Sequence, residues 1–178
     1  MKGKLFLIPS ILAENTSQTV MSPQIKEVVK NTKHYLVEEL RTARRYISSL
    51  KLGLVIEDLH LEILNKKTRT PQLQELMQPI LNGEDMGIIS EAGCPGIADP
   101  GAIAVAWAHE KGIQVVPLSG PSSMFLALMG SGFSGATGSK RAVSKVSGSK
   151  SMVVPMASAN LYSGMGSGMG SGIAGGSA

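Results

Sequence analysis

The stretch "MGIISEAGCPGIADPGAIAVAWAHEKG", Met86 to Gly112, carries the reading of the fold. Its first part, "MGIIS", is an apolar run of strand length. Its last part, "PGAIAVAWAHEKG", reads as a helix opened by Asp99 and Pro100 and stopped at Gly112. Between them stands "SEAGCPGIADPG", Ser90 to Gly101, with three glycines, two prolines, two carboxylates and the only cysteine of the chain in twelve positions. Connections from strand to helix are commonly two to six residues long, so this one is extended. It is either an ordinary long connection or a loop whose glycines admit positive φ and close backbone approach while Pro95 and Pro100 stiffen it.

The same strand-then-helix grammar repeats on both sides of that stretch. "KLFLIPS" reads as a strand, and "SPQIKEVVKNT" as a helix with Ser22 as N-cap and Pro23 in the first helical position. "HYLVEE" is a second strand and "LRTARRYISSL" a second helix, with Leu40, Ala43 and Ile47 on one face. A weaker strand, "LHLEILN", precedes "TPQLQELMQPILNG", a helix over 70–83 with Thr70 as cap and Gly83 as stop. "IQVVPLSG" and "PSSMFLALMGSG" form a fifth pair. Parallel neighbours need crossover connections of a dozen or more residues, which these helices supply, so the spacing predicts an α/β, doubly wound, mostly parallel sheet.

Length favours one domain with a full core. The formal charge of +4 is a property of the C-terminal stretch: four of the 17 basic side chains, Lys140, Arg141, Lys145 and Lys150, and none of the 13 acidic ones lie after Gly135. Residues 1–135 are therefore formally neutral, and total charge makes no case for nucleic acid binding by that body. Residues 136–178 are rich in Gly, Ser and Ala, have Tyr162 as sole aromatic, and show no sustained periodicity. They read as a linker-like tail or a sequence standing in place of a second domain. "GSGIAG" within it matches G-x-G-x-x-G by chance, since no strand precedes it. One cysteine fits a reducing compartment, "MKGKLFLIPSILAEN" lacks the small-x-small site of a signal peptide, and no run approaches the ~18 to 20 apolar residues of a membrane span. The expectation is a cytoplasmic protein without membrane association. No metal-ligand cluster is visible.

In open parallel sheets, ligands bind at the carboxyl ends of the strands, where strand order reverses. Three junctions qualify: "IPSILAENT", "SEAGCPGIADPG" and "PLSGPSS". The last is also a common turn, with Ser119, Ser122 or Ser123 free to cap a helix. "VEELRTARR" sets Glu38 and Glu39 at a strand end before Arg41, Arg44 and Arg45, a phosphate or RNA contact or a solvated helix start. Cys94 as a nucleophile would need His34, His60 or His109 as base, and none sits in a cysteine-hydrolase signature.

Taken together, the junctions resemble a known family. "SEAGCPGIADPG" is similar to the S-D-A-G-T-P-x-I-S-D-P-G loop of the tetrapyrrole methylase superfamily, in its ribosomal RNA small subunit methyltransferase I branch. "LFLIPSILAENT" resembles that branch's first strand and T-P-I-G-N-L loop, "VEELRTARR" its A-E-D-T-R segment, and "PLSGPSS" its P-G-P-S-A turn, in register across residues 5–123. The resemblance implies S-adenosylmethionine as cofactor, bound between two α/β domains of a homodimer, and ribose 2′-O-methylation of a cytidine in small-subunit ribosomal RNA. By motif it assigns Pro9, Ser90, Glu91, Ala92, Gly93, Cys94, Pro95, Ile97, Ala98, Gly120, Pro121 and Ser122 to the cofactor. Glu38 or Glu39 would be the base and Arg41, Arg44 and Arg45 the RNA contacts. The sequence departs from the pattern at Leu12 and Ala13, Glu91, Cys94 and Glu39-Leu40. The expected organisation is a cofactor-binding domain over 1–135, with the family's second α/β domain not recognisable in 136–178. A tetrapyrrole methyltransferase and a cofactor-binding protein without transfer activity are the alternatives.

Overall fold

Strand formation follows the apolar runs. In a computed structural model, which describes residues 1–97 and 99–132, Leu5–Ile8 (β1), His34–Val37 (β2), His60–Ile63 (β3), Met86–Ile89 (β4) and Val115–Pro117 (β5) form one sheet in the order β3-β2-β4-β1-β5. Every pairing is parallel, with Leu5 opposite Met86 and Val115, and His34 opposite Met86 and His60. The doubly wound α/β expectation is met. The linker-like tail expected over 136–178 lies outside the described residues.

Alternation within each strand sends successive side chains to opposite faces, and both faces are covered. On one face Leu5, Leu36, Met86 and Ile88 pack with Leu73, Met77 and Ile80, and with Ala104, Trp107 and Ala108. Apart from Met77, which stands between the first two, those partners come from helices Thr70–Leu76 (α4), Gln78–Leu81 (α5) and Gly101–Glu110 (α6). On the other face Ile8, Tyr35, Val37 and Ile89 pack with Ile25 and Val29 of Pro23–Asn31 (α2) and with Ala43, Tyr46 and Ile47 of Leu40–Ser49 (α3). Each fully buried aliphatic side chain contributes roughly 1.5–3 kcal/mol. Residues 1–130 form one compact unit.

Helix ends agree with sequence grammar in places and depart from it in others. Ser22 caps α2, its hydroxyl accepting from the Ile25 amide at 3.3 Å, with Pro23 next. The helix expected over 70–83 is instead two helices meeting at Met77, because Pro79 has no N–H to donate and its ring would clash with the Glu75 carbonyl. Thr70 is the first helical residue rather than the cap; Arg69 holds that position, its amide donating to Gln72 Oε1 at 3.1 Å. A four-residue helix, Ser17–Val20 (α1), and a 3-10 turn, Ile56–Asp58, are too short for periodicity to announce. Ser123–Gly130 (α7) follows β5 and exposes Met124, Phe125, Leu126 and Met129. Among the described residues no helix is long and apolar enough to cross a membrane.

Candidate functional site

β1 and β4 are neighbours, yet the helices that follow them leave in opposite directions: α2 joins the cluster on one face and α6 the cluster on the other. Loops that part in this way open a crevice at the carboxyl end of the sheet. The connection after β5 borders the same crevice, because β5 lies on the far side of β1.

Hydrogen bonds tie the three connections into one body. The Ser10 amide donates to the Gly93 carbonyl at 2.9 Å, and Ser90 Oγ donates to the same oxygen at 2.9 Å. The Cys94 thiol is turned to the Pro121 and Gly120 carbonyls at 3.4 and 3.7 Å. Tyr46, buried on α3, donates its hydroxyl to the Pro9 carbonyl at 2.7 Å. Within the long loop, the Asp99 carboxylate accepts from the Gly96 amide at 2.9 Å and from the Gly101 amide at 2.7 Å. Asp99 is thus the staple of the loop, and Pro100 holds the N-cap position of α6 that sequence signals shared between the two.

The glycines answer mainly to this packing. Gly93 sits at φ +76°, and a Cβ there would lie 3.2 Å from the Pro121 carbonyl oxygen and 3.3 Å from Leu12 Cδ2. At Gly120 a Cβ would fall 2.3 Å from Pro9 Cβ. Side chains at these two positions would therefore force the three loops apart.

Of the residues assigned to the cofactor, Pro9, Ser90, Gly93 and Pro95 are buried, Cys94, Pro121 and Ser122 half-buried, and Glu91, Ala92, Ile97 and Gly120 exposed. Ala98 lies outside the described residues. Beside the loop runs an apolar concavity of about 580 Å³ lined by Leu7, Cys94, Ile97, Val105 and Pro117 among others. Burial pushes the Cys94 thiol pKa up, which opposes a thiolate nucleophile there.

The two glutamates separate into different situations. Glu39 is the N-cap of α3, its carboxylate accepting from the Thr42 amide at 2.7 Å and the Thr42 hydroxyl at 3.0 Å. The Thr42 amide, then that of Arg41, holds its pKa below the ordinary carboxylate value. Glu38 is half-buried and lines a narrow crevice with Ser90, Asp99 and Gly101, so it faces the loop after β4. Arg41, Arg44 and Arg45 are exposed on α3, at the carboxyl end of β2, and Arg45 pairs with Glu14 of the loop after β1 at 3.2 Å.

Sequence reasoning missed Ser10, Tyr46, Glu14 and the bracing role of Asp99. Tyr46 sits on the buried face that periodicity marks, so its burial was readable although its Pro9 partner was not. Ser10 is 2% exposed, and its hydroxyl has no hydrogen-bond partner among the described residues.

No protein-family model matches the chain. Curated proteins do. Proteins named ribosomal RNA small subunit methyltransferase I are 29% identical over 112 residues in Xylella fastidiosa, covering 63% of this chain and 39% of that protein. In Leptospira biflexa the figure is 26% over 132 residues, covering 74% and 52%, and in Micromonospora olivasterospora 31% over 130 residues, covering 73% and 39%. The chain resembles the small subunit methyltransferase I proteins. It spans about half or less of the length of these relatives. The resemblance read from the loop motifs and the overall similarity thus point to the same branch.

Proposed function

We propose that the chain is the donor-binding part of a methyltransferase acting on a ribose 2′-hydroxyl of small-subunit ribosomal RNA, with S-adenosylmethionine as methyl donor. The observation that carries the reading is the crevice between the junctions of β1 and β4, around which hydrogen bonds tie three loops together. Similarity to proteins named ribosomal RNA small subunit methyltransferase I supports ribosomal RNA as the acceptor.

The residues present fit such a donor. Its amino acid portion carries both charges and hydrogen-bonding groups, and the Ser10 hydroxyl is a buried polar atom that lacks a partner among the described residues. A group in that position costs free energy until something completes it. Pro9, Ser10, residues 90–97 and residues 120–122 would hold the donor, which supplies an electrophilic methyl group on a sulfonium. The loops' task is orientation, since reacting atoms held in line gain a large positioning advantage. Glu38 would take the hydroxyl proton, because the Glu39 carboxylate is engaged in capping α3. Arg41, Arg44 and Arg45 would hold RNA phosphates. The exposed apolar side chains of α7 support assembly as a homodimer.

Calorimetry with S-adenosylhomocysteine tests the donor site. Micromolar affinity, roughly −8 kcal/mol, is expected for the unaltered chain and loss of binding for Gly93→Val. Equal affinity in the two would remove the loop from the site. Labelled methyl transfer to the 2′-oxygen of small-subunit RNA, reduced in Glu38→Gln with donor affinity unchanged, tests the acceptor and base.

A further inference from the structure

β3 is an edge strand, and its residues on the α4 side are polar where a covered sheet face would carry aliphatic side chains. His60 and Glu62 stand there, beside His34 and Leu36 of β2 in register. They line a trough of about 740 Å³ together with Lys67 from the connection after β3 and Gln72, Glu75 and Pro79 from the α4–α5 segment. The trough lies across the sheet from β5, so it is separate from the proposed donor site.

We propose that this trough binds a nucleotide, with the base stacked on the outer face of His60. The His34 and His60 rings are already stacked, centroids 4.6 Å apart and planes 14° from parallel. That separation follows the strand spacing of about 4.8 Å, because the two residues are register partners on adjacent strands. His34 is held in place from the inside, by buried Met86 opposite it on β4 and by Glu84, whose carboxylate lies 2.5 Å from Nε2. His60 is exposed, and no further strand pairs with β3 among the described residues. A planar ring placed one strand spacing further out would extend the stack.

Charge around the stack selects among planar ligands. A bare anion would meet Glu62 and Glu75. A metal ion would find no group of three or more suitable side chains among the described residues. A nucleotide satisfies the mixture: the exocyclic amino group of its base suits a carboxylate acceptor, its base suits the imidazole face, and its phosphate suits Lys67. Polar residues on an edge strand also discourage edge-to-edge pairing, but that role requires neither a stacked pair nor a carboxylate contact at its inner member.

Proton NMR of the full chain tests the site, because it has three histidines and His109 lies on α6, away from the trough. With the proposed donor site filled by excess S-adenosylhomocysteine, adenosine monophosphate should move the His60 and His34 ring signals upfield and leave His109 in place, and inorganic phosphate alone should move none of them. His60→Ala should weaken binding about tenfold, as loss of one base-stacking partner does, and His60→Phe should restore it. Lys67→Ala should weaken adenosine monophosphate and leave adenosine unchanged. Tighter binding of a single-stranded oligoadenylate would identify an RNA chain as the source of the base, and equal binding a free nucleotide. Unmoved His60 signals, or undiminished binding by His60→Ala, would overturn the proposal.

Discussion

Tyr46 reaches from the buried face of α3 to the carbonyl of Pro9, donating its hydroxyl at 2.7 Å, and so fixes the start of the loop after β1 from beneath. The Met21 sulfur lies 3.3 Å from the same hydroxyl. Tyr46→Phe keeps the ring and removes the donor, leaving the Pro9 carbonyl without it. The expected cost is about 1–3 kcal/mol of stability in urea denaturation, the range for a stranded buried acceptor. Affinity for S-adenosylhomocysteine should fall as well. A stability loss with donor affinity intact would show that the loop needs no support from α3.

Gly93 and Gly53 form a controlled pair. Both have positive φ, +76° and +72°, but a Cβ at Gly93 meets the Pro121 carbonyl and Leu12 whereas one at Gly53 meets nothing within 4 Å. Gly53→Ala should cost only the left-handed backbone penalty of about 1–2 kcal/mol, and Gly93→Ala should cost more. Only the second should disturb donor binding. Thermal unfolding and calorimetry on the two variants decide this.

Arg41, Arg44 and Arg45 should contribute unequally to RNA binding. Arg45 is paired with Glu14, while Arg41 and Arg44 are exposed on the same helix. Replacing Arg41 and Arg44 with Ala should flatten the dependence of log affinity on log salt by about two units if each meets a phosphate. An unchanged slope would make them a solvated face.

Burial raises the phenol pKa of both Tyr35 and Tyr46 above the ordinary value of 10.0. In the folded chain these groups keep their protons at pH values where the unfolded chain has lost them. Their contribution is therefore complete below pH 10 and shrinks as pH rises through the window above it. Urea midpoints should be flat with respect to these groups up to about pH 9 and fall beyond pH 10. Tyr35→Phe should lessen that fall, since the Tyr35 hydroxyl donates to the Val29 and Thr32 carbonyls in the core.

Much of the fold was readable because its signals are local. The runs "LFLI", "HYLV" and "MGII" are strands, Ser22 caps α2, and Gly112 ends the turn after α6. Pro79 breaks a segment whose apolar periodicity continues on both sides of it, so local pattern alone reads one helix where the structure has two. The long loop was legible as unusual from composition, yet the reason for its glycines was not: Gly93 and Gly120 answer to Pro121, Leu12 and Pro9, which are distant in sequence.

The sequence by itself determined the class of the fold, the five strand-helix pairs and the three junctions from which a site could be built, because apolar periodicity, caps and stops act over a few residues. Tertiary structure alone decided the strand order that makes β1 and β4 neighbours, the parting of α2 and α6 to opposite faces, and the use of Glu39 as a cap while Glu38 faces the loop. It also set His60 against His34 on an open edge. These relationships join residues tens of positions apart, and they exist only once hydrogen bonding between strands and burial on both faces of the sheet have fixed which segments meet.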